Sequence, residues 1–402
     1  MRSGHFTLAH TEVQEYAAGQ LQQYVPLTNP SRRCPADVLV HLLYYAAAHL
    51  ISIHAACRRL RDAPSDQTVR NALLATLPEY AKLERQMNRA LVGGLPKALR
   101  RRKQVMAIDL HLKPYYGKPY KHEKEIYRSQ AKCGTNNFHA YASAYVVRHG
   151  QRYTVAVTSV ERGQDNKAVI QRLLDLARRA GIRPRLLLLD RGFYSISVIR
   201  YLQCARIAFL MPAVARGRKP KHGQPTGIRA FQLWKRGGWG KHTLTALPKK
   251  DTKRGLKSAT VSICVYCGNY RGQWKKHGRF AWVYAYSGFT PQSLRWVADT
   301  YRTRFGIETS YRQLNQARIV TCMRNPAVRF FLTALALLLR NVWVWLHWER
   351  LAAPRRGYRL LQMECLRFRQ MLIWLAKVAE TTFGFVDEVT TQRQTGPPVI
   401  PR

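Results

Sequence analysis

Acidic side chains are scarce: 22 Asp and Glu stand against 67 Lys and Arg in 402 residues, a formal net charge of +45. So unbalanced a chain repels itself unless a polyanion or counterions screen it. Nucleic acid is the commonest such partner in a cell, and an anionic membrane surface is its competitor. Long uncharged apolar runs are also missing. The most apolar stretch, 330–348, carries Arg340 and Asn341 near its middle. Nowhere do about 18 uncharged apolar residues follow one another, so the stretch reads as a buried helix and no membrane partner is expected. The opening MRSGHFTLAHTEVQEY lacks the apolar core of a secretion signal, which points to the cytoplasm or a nucleoid. A disulfide framework is absent as well. The cysteines at 34, 57, 133, 204, 264, 267, 322 and 365 are scattered through apolar surroundings and read as reduced, buried thiols. Cys264 and Cys267 form one CxxC with His277 downstream, but no second pair completes the four ligands of a structural zinc site.

With 46% apolar residues the chain can bury a sizeable core and hold two or three domains. Residues 1–98 read as a helical N-terminal unit for DNA binding or dimerisation. It contains PADVLVHLLYYAAAHL, then IHAACRRLRD, a break at Ala63 and Pro64, and SDQTVRNALLATL, which Ser65 or Asp66 would cap. Two helices around a short turn suit a helix-turn-helix reader with Gln67, Thr68, Arg70 and Asn71 as contacts; a plain helical bundle suits them equally. The basic linker GGLPKALRRRKQ follows, placing Arg100, Arg101, Arg102 and Lys103 to meet phosphates.

Across 99–212 the chain alternates. QVMAIDLHL, FHAYASAYVV and YTVAVTSV read as strands, DNKAVIQRLLDLARRAG as an amphipathic helix, RLLLLD as a buried strand, then a short helix and a strand at 207–211. This order predicts an α/β fold, a ribonuclease-H-like mixed sheet with flanking helices. Residues 213–289 break the pattern with basic turns between short strands and read as a β-rich insertion. Pro291 opens a helix that begins a second catalytic segment over 290–345, and 346–402 reads as a helical C-terminal region.

In so basic a chain the positions of the few acids are informative. Asp109 ends VMAID and Asp190 ends RLLLLD. Singly, either is more often a cap or an Arg partner than a catalytic group. Together, on strands expected to be neighbours, they can bridge metal ions, and Glu308 supplies a third carboxylate from a helix. Tyr301, Arg304, Glu308 and Asn315 are spaced so that a continuous helix would hold all four within a stripe of roughly 60°. Gly306 weakens that stripe by favouring a kink.

These segments resemble a known family. YRTRFGIETSYRQLN follows the Y-x2-R-x3-E-x6-K signature of the insertion-sequence transposases of family four, which are prokaryotic DDE enzymes; VMAIDLHLKPYYG and LLLLDRGFYSISVIRYL are similar to that family's blocks around the first and second Asp. The resemblance implies that Asp109, Asp190 and Glu308 are the catalytic metal ligands and that Tyr301 and Arg304 hold DNA phosphates near the cleaved end. Asn315 departs from the pattern, which has Lys there, and Arg312 is the expected substitute contact. A hairpin intermediate with a base flipped onto an aromatic is also implied, with Phe193, Tyr194 and Trp239 as candidates.

Hard carboxylate oxygens select Mg²⁺ or Mn²⁺, two ions in the expected site. Water would free a 3′-OH at the element's end, and that 3′-OH would then attack target DNA. Double-stranded DNA is thus the expected partner, with a homodimer to bring two ends together. Two other readings stay open: a ribonuclease-H-like nuclease without strand transfer, and a catalytically silent DNA-binding descendant of a transposase.

Overall fold

The computed structural model describes residues 7–27, 32–148, 151–219, 223–246, 257–271, 277–305, 314–355, 358–360 and 362–388. The N-terminal apolar periodicities become helices α1 (His10–Gln22), α2 (Ala36–His49), α3 (Ile53–Arg59), α4 (Asp66–Thr76), α5 (Tyr80–Gly93) and α6 (Lys97–Arg101). Ser65, rather than Asp66, caps α4, its side chain accepting from the Thr68 amide. Gly94 ends α5 against the buried Trp345 ring, so closely that a Cβ there would sit 2.5 Å from it.

The sheet begins at β1 (Gln104–Pro114) and continues with β2 (Tyr127–Lys132), β3 (Thr135–Arg148) and β4 (Gln151–Val160). Helix α7 (Asn166–Arg179), β5 (Pro184–Leu189), α8 (Ile196–Cys204) and β6 (Phe209–Pro212) complete its first part. β3 runs antiparallel between β1 and β4, while β5 is parallel to β1 and β6 parallel to β5. The spatial order β4-β3-β1-β5-β6 is the ribonuclease-H-like arrangement expected from the alternation of elements. The strand β2 was not legible in the sequence because its residues, YRSQAK, are mostly exposed and carry no apolar alternation.

After the short helix α9 (Ile228–Gln232), the β-rich insertion supplies β7 (Gly238–Thr245), β8 (Ser258–Arg271) and β9 (His277–Ser287). It does not stand apart. β9 pairs antiparallel with β6, so the insertion prolongs the same sheet to nine strands. Most of the apolar 330–348 run lies in α11 (Pro326–Leu346), capped by Asn325. By length and composition this helix could cross a membrane, yet 89% of its most apolar window is buried inside the fold, where it packs on α5 and β4. Helix α12 (Phe368–Phe383) covers α1 and α2.

The outer edge of β4 is closed by side chains rather than by another strand. Asn88 of α5 donates from Nδ2 to Val157 O at 2.9 Å and accepts from the Val157 amide at 2.8 Å. Buried Glu84, also on α5, accepts from the Thr158 hydroxyl at 2.6 Å and pairs with Arg172 of α7. An exposed ladder edge invites strand addition, and these contacts satisfy it internally while tying the N-terminal helices to the sheet.

Candidate active site

The parallel register of β1 and β5 pairs Ile108 with Leu189. Asp109 and Asp190 are the next residues on each strand, which brings two carboxylates side by side where β5 stops. Asp190 does end its strand. Asp109 does not: β1 runs on to Pro114, because β3 continues to pair with it, Asp109 opposite Ser143. The Asp109 carboxylate is oriented locally by the Leu110 amide, which donates to Oδ1 at 2.9 Å.

A third side chain enters from helix α10 (Leu294–Arg302), whose start is capped by Ser293. The helix gives way to a 3-10 turn, Thr303–Phe305, and that turn aims Arg304 at the carboxylates. Arg304 Nη1 lies 3.5 Å from Asp109 Oδ2, and Nη2 lies 3.2 Å from Asp190 Oδ1. The residue is only 5% exposed. Its guanidinium carbon sits 5.4 Å from the Tyr301 ring centroid, and Tyr301 in turn packs on Tyr284 at 5.2 Å. Burial opposes the charge on Arg304, but Tyr301, Asp109 and Asp190 outweigh it and raise its pKa above the usual arginine value. Burial also raises the pKa of the Tyr301 phenol, keeping it protonated.

The single helical stripe expected from Tyr301 to Asn315 is therefore corrected. Helix α10 ends at Arg302, and the 3-10 turn changes the angular step, so spacing at 100° per residue cannot carry across it. Tyr301 and Arg304 still meet, through the turn rather than along a stripe. Glu308 and Arg312 lie outside the described residues. Asn315 is exposed and adjoins buried Leu314.

Two of the expected base-stacking aromatics are also corrected. Phe193 and Tyr194 follow Asp190 in a tight 3-10 turn that tucks both into the core, at 4% and 2% exposure, which leaves no ring face for a base. Trp239 is 45% exposed and lines a groove with Tyr266 and Tyr286. Sequence reasoning missed Trp282 and Tyr284. With Arg191, Arg302, Tyr301 and Arg304 they line a cavity of about 530 Å³ that opens beside Asp190. The aromatic alternation in FAWVYAY was the available signal, but nothing local to it indicates that β9 joins β6.

The profile of the family described as "Transposase DDE domain" matches residues 100–342, more than half of the chain. The chain belongs to the DDE transposase family. A piggyBac transposase, solved by cryo-EM in a synaptic complex with hairpin DNA, is similar at 11% identity with a TM-score of 0.45, over 95% of this chain and 74% of that one. No curated protein matches.

Within this DDE domain, Asp109 and Asp190 offer hard oxygen donors on one side of a point that a cation already approaches, since the Arg304 guanidinium contacts both. That donor set fits Mg²⁺ or Mn²⁺ better than a soft metal. Among the described residues no cluster of three or more His, Cys, Asp or Glu is in place to hold a metal. Cys264 and Cys267 cannot act together, because an odd separation puts them on opposite faces of β8.

The basic candidates are distributed differently from one another. Arg100, Arg101 and Arg102 are all exposed, and Arg100 also donates to Val92 O at 3.2 Å. On α4, Arg70 is paired with Asp66 of its own first turn, and Gln67 donates to Asn71 at 2.8 Å.

Proposed function

We propose that this DDE transposase cuts double-stranded DNA at the ends of its element and joins the freed 3′ ends to target DNA, in the manner of the insertion-sequence transposases of family four. The observation that carries this reading is the pair Asp109 and Asp190, set side by side by the β1–β5 register inside the family-matched region. Asp109, Asp190 and Glu308 would hold two Mg²⁺ or Mn²⁺ ions. When bound, such ions neutralise charge at the phosphorus and ease deprotonation of the attacking oxygen.

The chain's own residues do the rest. Asp109 and Asp190 stand side by side where β5 ends, in the interior of the sheet, and the aromatic wall of Trp282, Tyr284 and Tyr301 limits water beside them. Arg191, Arg302 and Arg304 supply phosphate contacts around the same cavity. Exposed cations elsewhere, Arg101 and Arg102 among them, hold the duplex without reading its sequence. Two ends must be cut together, so the working species is a dimer at least.

The test is a duplex carrying the inverted repeat that flanks the gene, incubated with Mg²⁺ and a target plasmid. Cleavage leaving a 3′-OH, followed by joining to the plasmid, is expected. Cleavage without joining would make the protein a nuclease, and binding without cleavage would make it a silent descendant.

A further inference from the structure

Arg304 reaches the two acids from outside the strands that carry them. One planar guanidinium, with its fork of donors, spans Asp109 at 3.5 Å and Asp190 at 3.2 Å. This is not a surface ion pair worth little. The side chain is sealed from water, bedded on the Tyr301 ring, and contacts two acceptors on different strands. A divalent ion shared by the same two carboxylates would need the lone pairs that the guanidinium faces, so the two cations compete. Arg304 also lines the cavity that opens beside Asp190 with Arg191, Arg302 and Trp282. The side chain thus borders that cavity while it contacts both carboxylates.

We infer that Arg304 is a tethered counter-cation that divalent ions must displace from Asp109 and Asp190, and that a DNA phosphate in the adjoining cavity is the anion that receives it. The inference rests on the metal-holding role proposed for the two carboxylates. Its consequence is coupling. Coupling between two binding events is reciprocal, so DNA in the cavity raises metal affinity and metal raises affinity for the strand. A chain carrying a charge of +45 meets nucleic acid of any sequence. Holding the carboxylates under Arg304 until a strand is seated keeps metal-dependent cutting off unseated DNA.

The test is Mn²⁺ binding to the full-length chain, read by calorimetry and by electron paramagnetic resonance of free Mn²⁺. Arg304→Gln should bind Mn²⁺ at least about fivefold more tightly than wild type, within the roughly 5–150-fold span of such couplings. Arg304→Lys, which cannot fork across two acids, should fall between them. Asp109→Asn in the Arg304→Gln background should abolish the tight binding. A 5′-phosphorylated duplex should tighten Mn²⁺ binding by wild type and leave Arg304→Gln unchanged. If Arg304→Gln binds no more tightly while Asp109→Asn still abolishes binding, the metal site stands and the competition is overturned. If Asp109→Asn removes no Mn²⁺ from any variant, the carboxylate reading itself fails. Should Arg304→Gln not fold by circular dichroism, Arg304→Lys carries the comparison, and affinity equal to wild type overturns the inference.

Discussion

Asn341, in the C-terminal third of the most apolar helix, exchanges two hydrogen bonds with the backbone of Thr154: the Thr154 amide donates to Oδ1 at 3.0 Å, and Nδ2 donates to the Thr154 carbonyl at 2.8 Å. Nδ2 also donates to Leu91 O at 2.8 Å, so one amide side chain stitches α11, the edge of β4 and the end of α5. Neighbouring Arg340 is spent in the same way, donating to Arg152 O. Arg340 and Asn341, which interrupt the apolar run, thus help to dock it.

Asn341→Leu keeps the branched shape but leaves buried backbone groups at Thr154 and Leu91 unpaired, each costing about 1–3 kcal/mol. A loss of at least about 2 kcal/mol in urea unfolding is expected, with an unchanged dependence on denaturant. A change below about 0.5 kcal/mol would place this site among ordinary surface positions and remove the docking role.

Replacing Asp109 or Asp190 by Asn, or Glu308 by Gln, should abolish cleavage of an end-bearing duplex by at least about a hundredfold. Binding of the same duplex should stay within a few-fold of wild type, because it draws on the basic surface. Should any of the three variants cleave at a near wild-type rate, that residue is not part of the site.

Exposed Arg101 and Arg102 should each contribute about 0.9 to the negative slope of log affinity against log salt. The double alanine variant is therefore expected to bind arbitrary duplex more weakly at low salt, with a shallower slope. Arg100→Ala should change the slope less than loss of either, since its guanidinium is held at Val92 O. An unaltered slope in the double variant would take the linker off the DNA.

Stability should fall as acid is added from about pH 6.5. Burial, with Arg329 and Lys113 beside it, pushes the His139 imidazole from 6.5 down to about 4. The unfolded chain therefore takes up a proton between those values that the native state refuses, and native stability is lost as pH drops through that window. Burial with Lys113, Arg318 and Lys132 nearby lowers His111 similarly, to about 3. His139→Gln should flatten, without abolishing, the decline in melting temperature between neutral pH and about pH 4.5. An identical decline in that variant would show that His139 does not titrate differently on unfolding.

Much of this architecture is written locally. An apolar run closed by a lone acid marks β1 and β5. A 3.6-residue period marks α7 and α8, because one face of each must leave water, whereas α11 is marked by a continuous apolar run and is buried on all sides. Asp109 and Asp190 stand out in the sequence because burying a carboxylate at the end of such a run is costly without a partner. Three features are not written there. The joining of β9 to β6 is a backbone pairing between distant segments, and backbone groups are the same in every residue. The pairing of Asn88 and Asn341 with β4 uses side chains that in a sequence look like interruptions of apolar helices. Arg304 comes to rest between two carboxylates because a 3-10 turn breaks the helical repeat just before it. That direction depends on where α10 packs against the completed sheet, so only the tertiary structure could decide which anion the arginine faces.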